Sequence, residues 1–176
     1  MRAQLPRHQG RIAHESFVVR YGDGKTKEQL LSMGQYAHIE PMAEQFVRSD
    51  QFRMSNKFGE REFVVVDFDH YASTQEVLDF FVANKLEEPT EEDALRFALQ
   101  FPPRTVDRPF VFLHTINLWM TATNSIEGEE PHVLVFGNRR LKKALYCRPL
   151  PGGRDHNENN WPTSYRFVAR KPRRKK

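Results

Sequence analysis

Cysteine is almost absent from this chain, since Cys147 is the only one among its 176 residues. A single cysteine excludes an internal disulfide and a cysteine-based zinc site, and it agrees with a reducing compartment. No apolar run approaches the roughly 20 residues that a membrane-spanning helix needs, and the polar, basic N-terminus lacks the apolar segment of a signal peptide. We therefore expect an intracellular protein without a membrane span, cytoplasmic or, if the source is eukaryotic, nuclear.

Several local motifs of catalysis are also missing. The seven histidines are scattered, without the close spacing of a local metal motif. There is no Gly-x-Ser-x-Gly elbow, and the stretch from Gly22 to Thr26 lacks the first glycine that a phosphate-binding loop requires. The sequence therefore does not support an α/β-hydrolase or a P-loop nucleotide-binding protein.

Aromatic residues, in contrast, are plentiful enough for one folded domain. Fourteen phenylalanines, five tyrosines and two tryptophans are too many for a disordered chain. Helical spacing and helix caps predominate in the first two-thirds of the chain, whereas short β-branched and aromatic runs predominate in the last third. The pattern predicts a single α+β domain, with helices packed on a mixed or antiparallel sheet.

Composition divides the chain into three predicted segments. Residues 1–15 contain arginines and few apolar side chains, and they are predicted to form a basic N-terminal arm. Residues 16–170 form the predicted α+β domain, and residues 171–176 form a basic C-terminal tail. The apolar run at residues 63–68 predicts a central strand buried on both faces.

Charge is segregated along the sequence far more than the net charge of +4 indicates. Residues 60–100 contain eleven acidic side chains and three basic ones, a local balance of −8. Residues 138–176 contain thirteen basic side chains and two acidic ones, a local balance of +11. Such asymmetry indicates a partner of opposite charge, which is a polyanion, an acidic protein or an anionic membrane surface.

The basic stretch favours nucleic acid among these partners. Lys and Arg attract phosphates, and exposed aromatic rings can stack on unpaired bases. Aromatic residues interleave with the cations at Tyr146, Trp161, Tyr165 and Phe167. We therefore predict binding to RNA or single-stranded DNA, by the protein alone or as a subunit of a larger nucleoprotein complex. The predicted contact residues are Arg139, Arg140, Lys142, Lys143, Arg148, Arg166, Arg170, Lys171, Arg173, Arg174, Lys175 and Lys176.

A metal-dependent enzyme is the first alternative. Alternate residues of a strand point to the same side, so Asp67 and Asp69 at the end of the central strand are predicted to share a face. Paired carboxylates of this kind hold Mg²⁺ or Mn²⁺ in nucleases and nucleotidyl-transfer enzymes, and His70 would assist as a ligand or a proton-transfer group. Without such a site, the sequence predicts no cofactor.

An adaptor or inhibitor is the second alternative. The acidic helices predicted between residues 73 and 101 would then dock on a basic protein partner, with Glu91, Glu92 and Asp93 in the contact. The basic tail has further interpretations, as a solubilising end or as a segment that folds over the acidic middle. The sequence does not indicate an oligomeric state.

Overall fold

The computed structural model describes residues 10–55, 58–101, 108–114, 132–139, 142–150 and 160–173. These residues contain four helices and seven strands, which confirms the predicted α+β domain. In chain order the elements are β1 (Arg11–Tyr21), α1 (Lys27–Met33), β2 (His38–Ile39), α2 (Pro41–Arg48), β3 (Gly59–Asp67), α3 (Thr74–Ala83), α4 (Glu91–Ala98), β4 (Phe110–Phe112), β5 (His132–Arg139), β6 (Lys142–Pro149) and β7 (Arg166–Arg170).

All seven strands belong to one mixed sheet, in the order β1-β3-β7-β4-β5-β6-β2. The β4–β7 and β2–β6 pairs are parallel, and the other neighbours are antiparallel. Because of these directions, the end of β1, the start of β3 and the end of β7 lie at the same end of the strands. We call this end of the sheet the tail end. The last residue of β5, Arg139, and the first of β6, Lys142, pair at the opposite end of the strands, which we call the hairpin end.

Helices cover both faces of the sheet. Helices α1, α2 and α4 share a core cluster with Phe63 and Val65 of β3, and we call this side the three-helix face. Helix α3 packs with Val64 and Val66 of the same strand, on the side that we call the α3 face. Because successive side chains of β3 point to opposite sides, the continuous apolar run fills both cores, as predicted. None of the helices in the described ranges is long and apolar enough to span a bilayer.

Strand β1 extends into the segment that was predicted to be a basic arm. It begins at Arg11, and Arg11 pairs with Asp67 of β3, whereas the composition predicted a basic arm through residue 15. A strand can be held by backbone hydrogen bonds to its neighbour even where its side chains are polar. The rest of the predicted arm, residues 1–9, lies outside the described residues.

Helix α4 is the best-buried helix of the domain, because all eight of its residues are buried. Phe97 is fully buried, and five other rings surround it at centroid distances of 4.9 to 6.1 Å. These rings come from β1, β3, β4 and the residues just after α4: Phe17, Phe63, Phe101, Phe110 and Phe112. Phe97 therefore joins α4 to three strands.

Replacing this central ring should destabilise the whole domain. We expect Phe97→Ala to lower the free energy of unfolding by about 3–5 kcal/mol, because it leaves a cavity among packed rings. Urea unfolding measures the change. Val82→Ala on α3 is the control, since Val82 is 78% exposed and should change stability by less than about 0.5 kcal/mol. Equal effects of the two substitutions would contradict the described core.

Candidate nucleic-acid interface

The predicted cationic residues lie in two groups at opposite ends of the sheet. Arg166, Phe110 and Phe136 share one row across β7, β4 and β5. Arg170 stands four residues from that row toward the tail end, and Arg139 stands three residues toward the hairpin end. Seven residues of strand span roughly 23 Å at about 3.3 Å per residue. The two groups therefore cannot hold the same phosphate.

At the hairpin end, the exposed cations of the prediction are Arg139 and Lys142. The Arg139 guanidinium lies 2.8 Å from Nε2 of His38. Arg148 is farther along β6, where it forms an ion pair of 2.9 Å with Glu40 and lies over the ring of Tyr146. The hairpin end thus offers two cations to a partner, among the residues that the structure describes.

Lys143 is buried, although the sequence predicted it as a contact residue. Its side chain lies on the three-helix face, and its ammonium donates hydrogen bonds to the carbonyls of Ala98 at 2.6 Å and Phe101 at 3.0 Å. Only 2% of the residue is exposed. Lys143 thus provides hydrogen bonds to carbonyls at the carboxyl end of α4 and is not available to nucleic acid.

At the tail end, most cations of the prediction already have carboxylate partners. Arg170 lies 3.7 Å from Asp93 and 3.6 Å from Glu87, whereas Arg166, at the other end of β7, lies 3.4 Å from Asp67 at the end of β3. Lys171 forms an ion pair with Glu62. Arg173 is exposed and donates a hydrogen bond of 3.3 Å to the carbonyl of Phe58. The last three predicted contacts, Arg174, Lys175 and Lys176, and the hairpin's Arg140 lie outside the described residues.

Arg61 joins this group, although the sequence did not predict it. Its Nε is buried without a hydrogen-bond partner, and none of its nitrogens forms an ion pair within the described part of the chain. Burial and the neighbouring guanidiniums of Arg173 and Arg170 lower the pKa of Arg61. The two guanidiniums of Arg61 and Arg173 repel each other. An anion placed between them would be attracted by both and would reduce this repulsion.

A pocket of about 390 Å³ opens beside these guanidiniums, and its lining residues are Glu60, Arg61, Glu62, Lys171, Pro172 and Arg173. Its two carboxylates are already compensated, since Glu60 pairs with Arg20 at 2.8 Å and Glu62 pairs with Lys171. Arg61 and Arg173 are the cations that remain for an external anion. Charge counting placed Arg61 in the acidic stretch, so no local sequence signal marked it.

The aromatic residues predicted to stack on bases are largely packed inside the protein. Trp161 is 4% exposed and Phe167 is 1% exposed, and both belong to the core of the α3 face. Tyr165 packs against Trp161, and Tyr146 is covered by Arg148. The most exposed aromatic side chain of the described residues is Phe58, 73% exposed, at the tail end.

Asp67 and Asp69, the predicted metal ligands, lie on opposite sides of the sheet. Strand β3 ends at Asp67, so the alternation that predicted a shared face does not extend to Asp69. Asp67 is buried on the three-helix face, where Arg108 and Arg166 lie 3.2 and 3.4 Å from its Oδ1. In the described ranges, no three His, Cys, Asp or Glu side chains are grouped to hold a metal ion.

Asp69 belongs to a separate cluster beside α3. Nδ1 of His70 lies 3.0 Å from Asp69, and Nε2 lies 2.7 Å from Glu76. Burial alone would lower the pKa of His70, but the hydrogen bonds to Asp69 and Glu76 outweigh it and raise the pKa. The imidazole therefore connects two carboxylates and links the end of β3 to α3.

The acids that open α4, predicted to dock on a protein partner, face the interior. Glu92 accepts hydrogen bonds from Ser55 and pairs with Arg96 at 2.5 Å, and Arg96 also pairs with Asp23 at 3.1 Å. Asp93 accepts a hydrogen bond from the Tyr21 hydroxyl. Glu91 is 7% exposed, and Glu92 and Asp93 are 1% exposed each. These carboxylates hold the domain together and do not form a docking surface.

No protein-family model, curated protein or solved structure matches this chain. The functional proposal therefore depends on the contacts of the chain's own side chains. The tail end combines a pocket, an exposed ring and two cations that form no ion pair among the described residues, whereas the hairpin end has two exposed cations.

The burial of Lys143 should make stability depend on pH. Desolvation lowers the pKa of Lys143 to about 8, from an ordinary value of 10.5 that applies to the unfolded chain. Between these values the unfolded chain holds a proton that the folded chain has lost, so the free energy of unfolding rises with pH. We expect wild type to gain stability relative to Lys143→Met from about pH 8 to pH 10.5 in urea unfolding.

The stability difference between wild type and variant should not change with pH below about pH 8 or above pH 10.5, and the gain of wild type should lie between these values. Lys143→Gln serves as a second reference in case the methionine variant does not fold. A difference that is constant or falls over the interval would contradict the buried position of the ammonium.

Proposed function

We propose that the protein binds nucleic acid, RNA or single-stranded DNA, at the tail end of the sheet. The observation that supports this proposal is the convergence of Arg61 and Arg173 beside a pocket, where Arg61 forms no ion pair with the described residues. Guanidiniums bind phosphate oxygens through planar, bidentate hydrogen bonds. A chain of phosphates is a polyanion that matches this arrangement.

The sequence that follows the pocket adds to the positive charge. Three further cations, Arg174, Lys175 and Lys176, come directly after Arg173. Lys171, Pro172 and Arg173, which directly precede these cations in the sequence, line the pocket. Each Lys or Arg that neutralises a phosphate releases counterions, which makes such binding dependent on salt.

The two alternatives from the sequence draw on side chains that have internal partners. Asp67 is paired with two arginines, and Asp69 interacts with His70. Glu92 and Asp93 hold α4 in the interior. No contact in the described residues favours a metal-dependent nuclease or an acidic docking surface over nucleic-acid binding.

A charge-matched pair of double variants tests the position of the interface. We expect Arg61→Gln with Arg173→Gln to weaken binding to labelled single strands about tenfold or more at low salt. Its slope of log affinity against log salt should be shallower by about 1.4 to 1.8, because two phosphate contacts are removed. Arg139→Gln with Lys142→Gln removes the same charge at the hairpin end and should change both quantities little. Equal losses in the two variants would mean diffuse attraction without a site.

A chain that ends at Arg173 tests the tail. Removal of the three cations after Arg173 should weaken binding and reduce the salt slope by up to about 2 to 3, because up to three phosphate contacts disappear. Fluorescence anisotropy with labelled RNA and single-stranded DNA at two salt concentrations measures both effects. If the full chain binds none of these nucleic acids at low salt, the proposed function is wrong.

A further inference from the structure

Phe58 stands out among the aromatic side chains of the described residues, because 73% of it is exposed beside the cations of the tail end. A single exposed apolar residue is common in proteins and needs no function. The surroundings of Phe58, however, hold its ring and place positive charge next to it. Both features are required of a platform on which a nucleic-acid base stacks.

The Phe58 ring packs against Gly22. A Cβ atom at Gly22 would lie 2.2 Å from Cδ1 of Phe58 and 2.9 Å from Cε1, so only glycine admits the ring at this distance. Gly22 also has a φ of +82°, which other residues rarely adopt. The ring therefore rests on the backbone just beyond β1 while most of its surface stays in solvent.

A cation contacts the backbone of the same residue, and a second cation shares a pocket with the first. Arg173 donates a hydrogen bond of 3.3 Å to the Phe58 carbonyl, so the C-terminal segment lies against the residue that presents the ring. Arg61 follows three residues later, inside β3, and shares the pocket with Arg173. A ring and two guanidiniums thus occur within one short stretch of the tail end.

We infer that Phe58, Arg61 and Arg173 form a subsite for one unpaired nucleotide, in which the base stacks on Phe58 and the two guanidiniums bind an adjacent phosphate. This inference rests on the proposed nucleic-acid-binding function and adds the class of ligand that the site selects. The bases of a duplex already stack on their neighbours, so their faces are not available to the Phe58 ring. The subsite therefore favours single strands over duplexes.

Three single variants separate stacking from charge. Phe58→Leu keeps an apolar side chain of similar size but removes the aromatic face, and Phe58→Trp keeps and enlarges it. Tyr71→Leu is the matched control, since Tyr71 is 60% exposed and follows the other end of β3. The ligands are a labelled thymidine single strand, a duplex of the same length, and inorganic polyphosphate, which has the charges but no bases.

Phe58→Leu should weaken binding of the single strand roughly 5- to 150-fold, since stacking on one aromatic ring contributes about 1–3 kcal/mol per base. Its affinity for polyphosphate, its affinity for the duplex and its salt slope should stay as in wild type. Phe58→Trp should restore single-strand binding, and the added tryptophan fluorescence should be quenched by the bound base. Tyr71→Leu should match wild type throughout.

Two results would overturn the inference. One is single-strand binding by Phe58→Leu that equals wild type, and the other is an equal loss of single strand and polyphosphate. In either case the wild-type chain still binds single strands, and Arg61→Gln with Arg173→Gln still weakens them, so the proposed function stands. If the wild-type chain binds neither single strand nor duplex, the proposed function itself fails.

Discussion

Burial of the charged side chains of α4 is the constraint on which the rest of the domain depends. Glu92, Asp93 and Arg96 are each at most 4% exposed, and an unpaired charge in such a position costs several kcal/mol. Their partners are Tyr21 and Asp23 at the end of β1, Ser55 before β3, and Arg170 at the end of β7. The interior charges therefore fix the segments that form the tail end.

The same pairing decides which cations can meet a partner. Arg170 turns toward Asp93 and Glu87, and Lys171 is occupied by Glu62, so these two contribute mainly to the fold. Arg61 and Arg173 form no ion pair among the described residues, and Arg61 has like-charged neighbours in Arg173 and Arg170. A surface for a polyanion thus arises next to an interior of paired charges, because the carboxylates nearby are already committed.

Local signals predicted much of the architecture. The apolar run of β3 fills both cores, as expected from the sequence, and Ser73 caps α3 by accepting a hydrogen bond from the amide of Glu76. Such features depend on neighbours in the chain, so periodicity and capping residues reveal them. The early start of β1 depends instead on pairing with β3, and its polar composition did not indicate a strand.

The sequence by itself determined the α+β class, the segregation of charge and the basic character of the C-terminal region, because these follow from composition and local spacing. Only the tertiary structure decided which charges are buried, paired or exposed. It buried Lys143 under α4, directed Glu92 and Asp93 inward, and brought Arg61 from the acidic stretch beside Arg173. The physical reason is that a side chain's partners come from strands distant in sequence, and the order of those strands is set by the packing of the whole sheet.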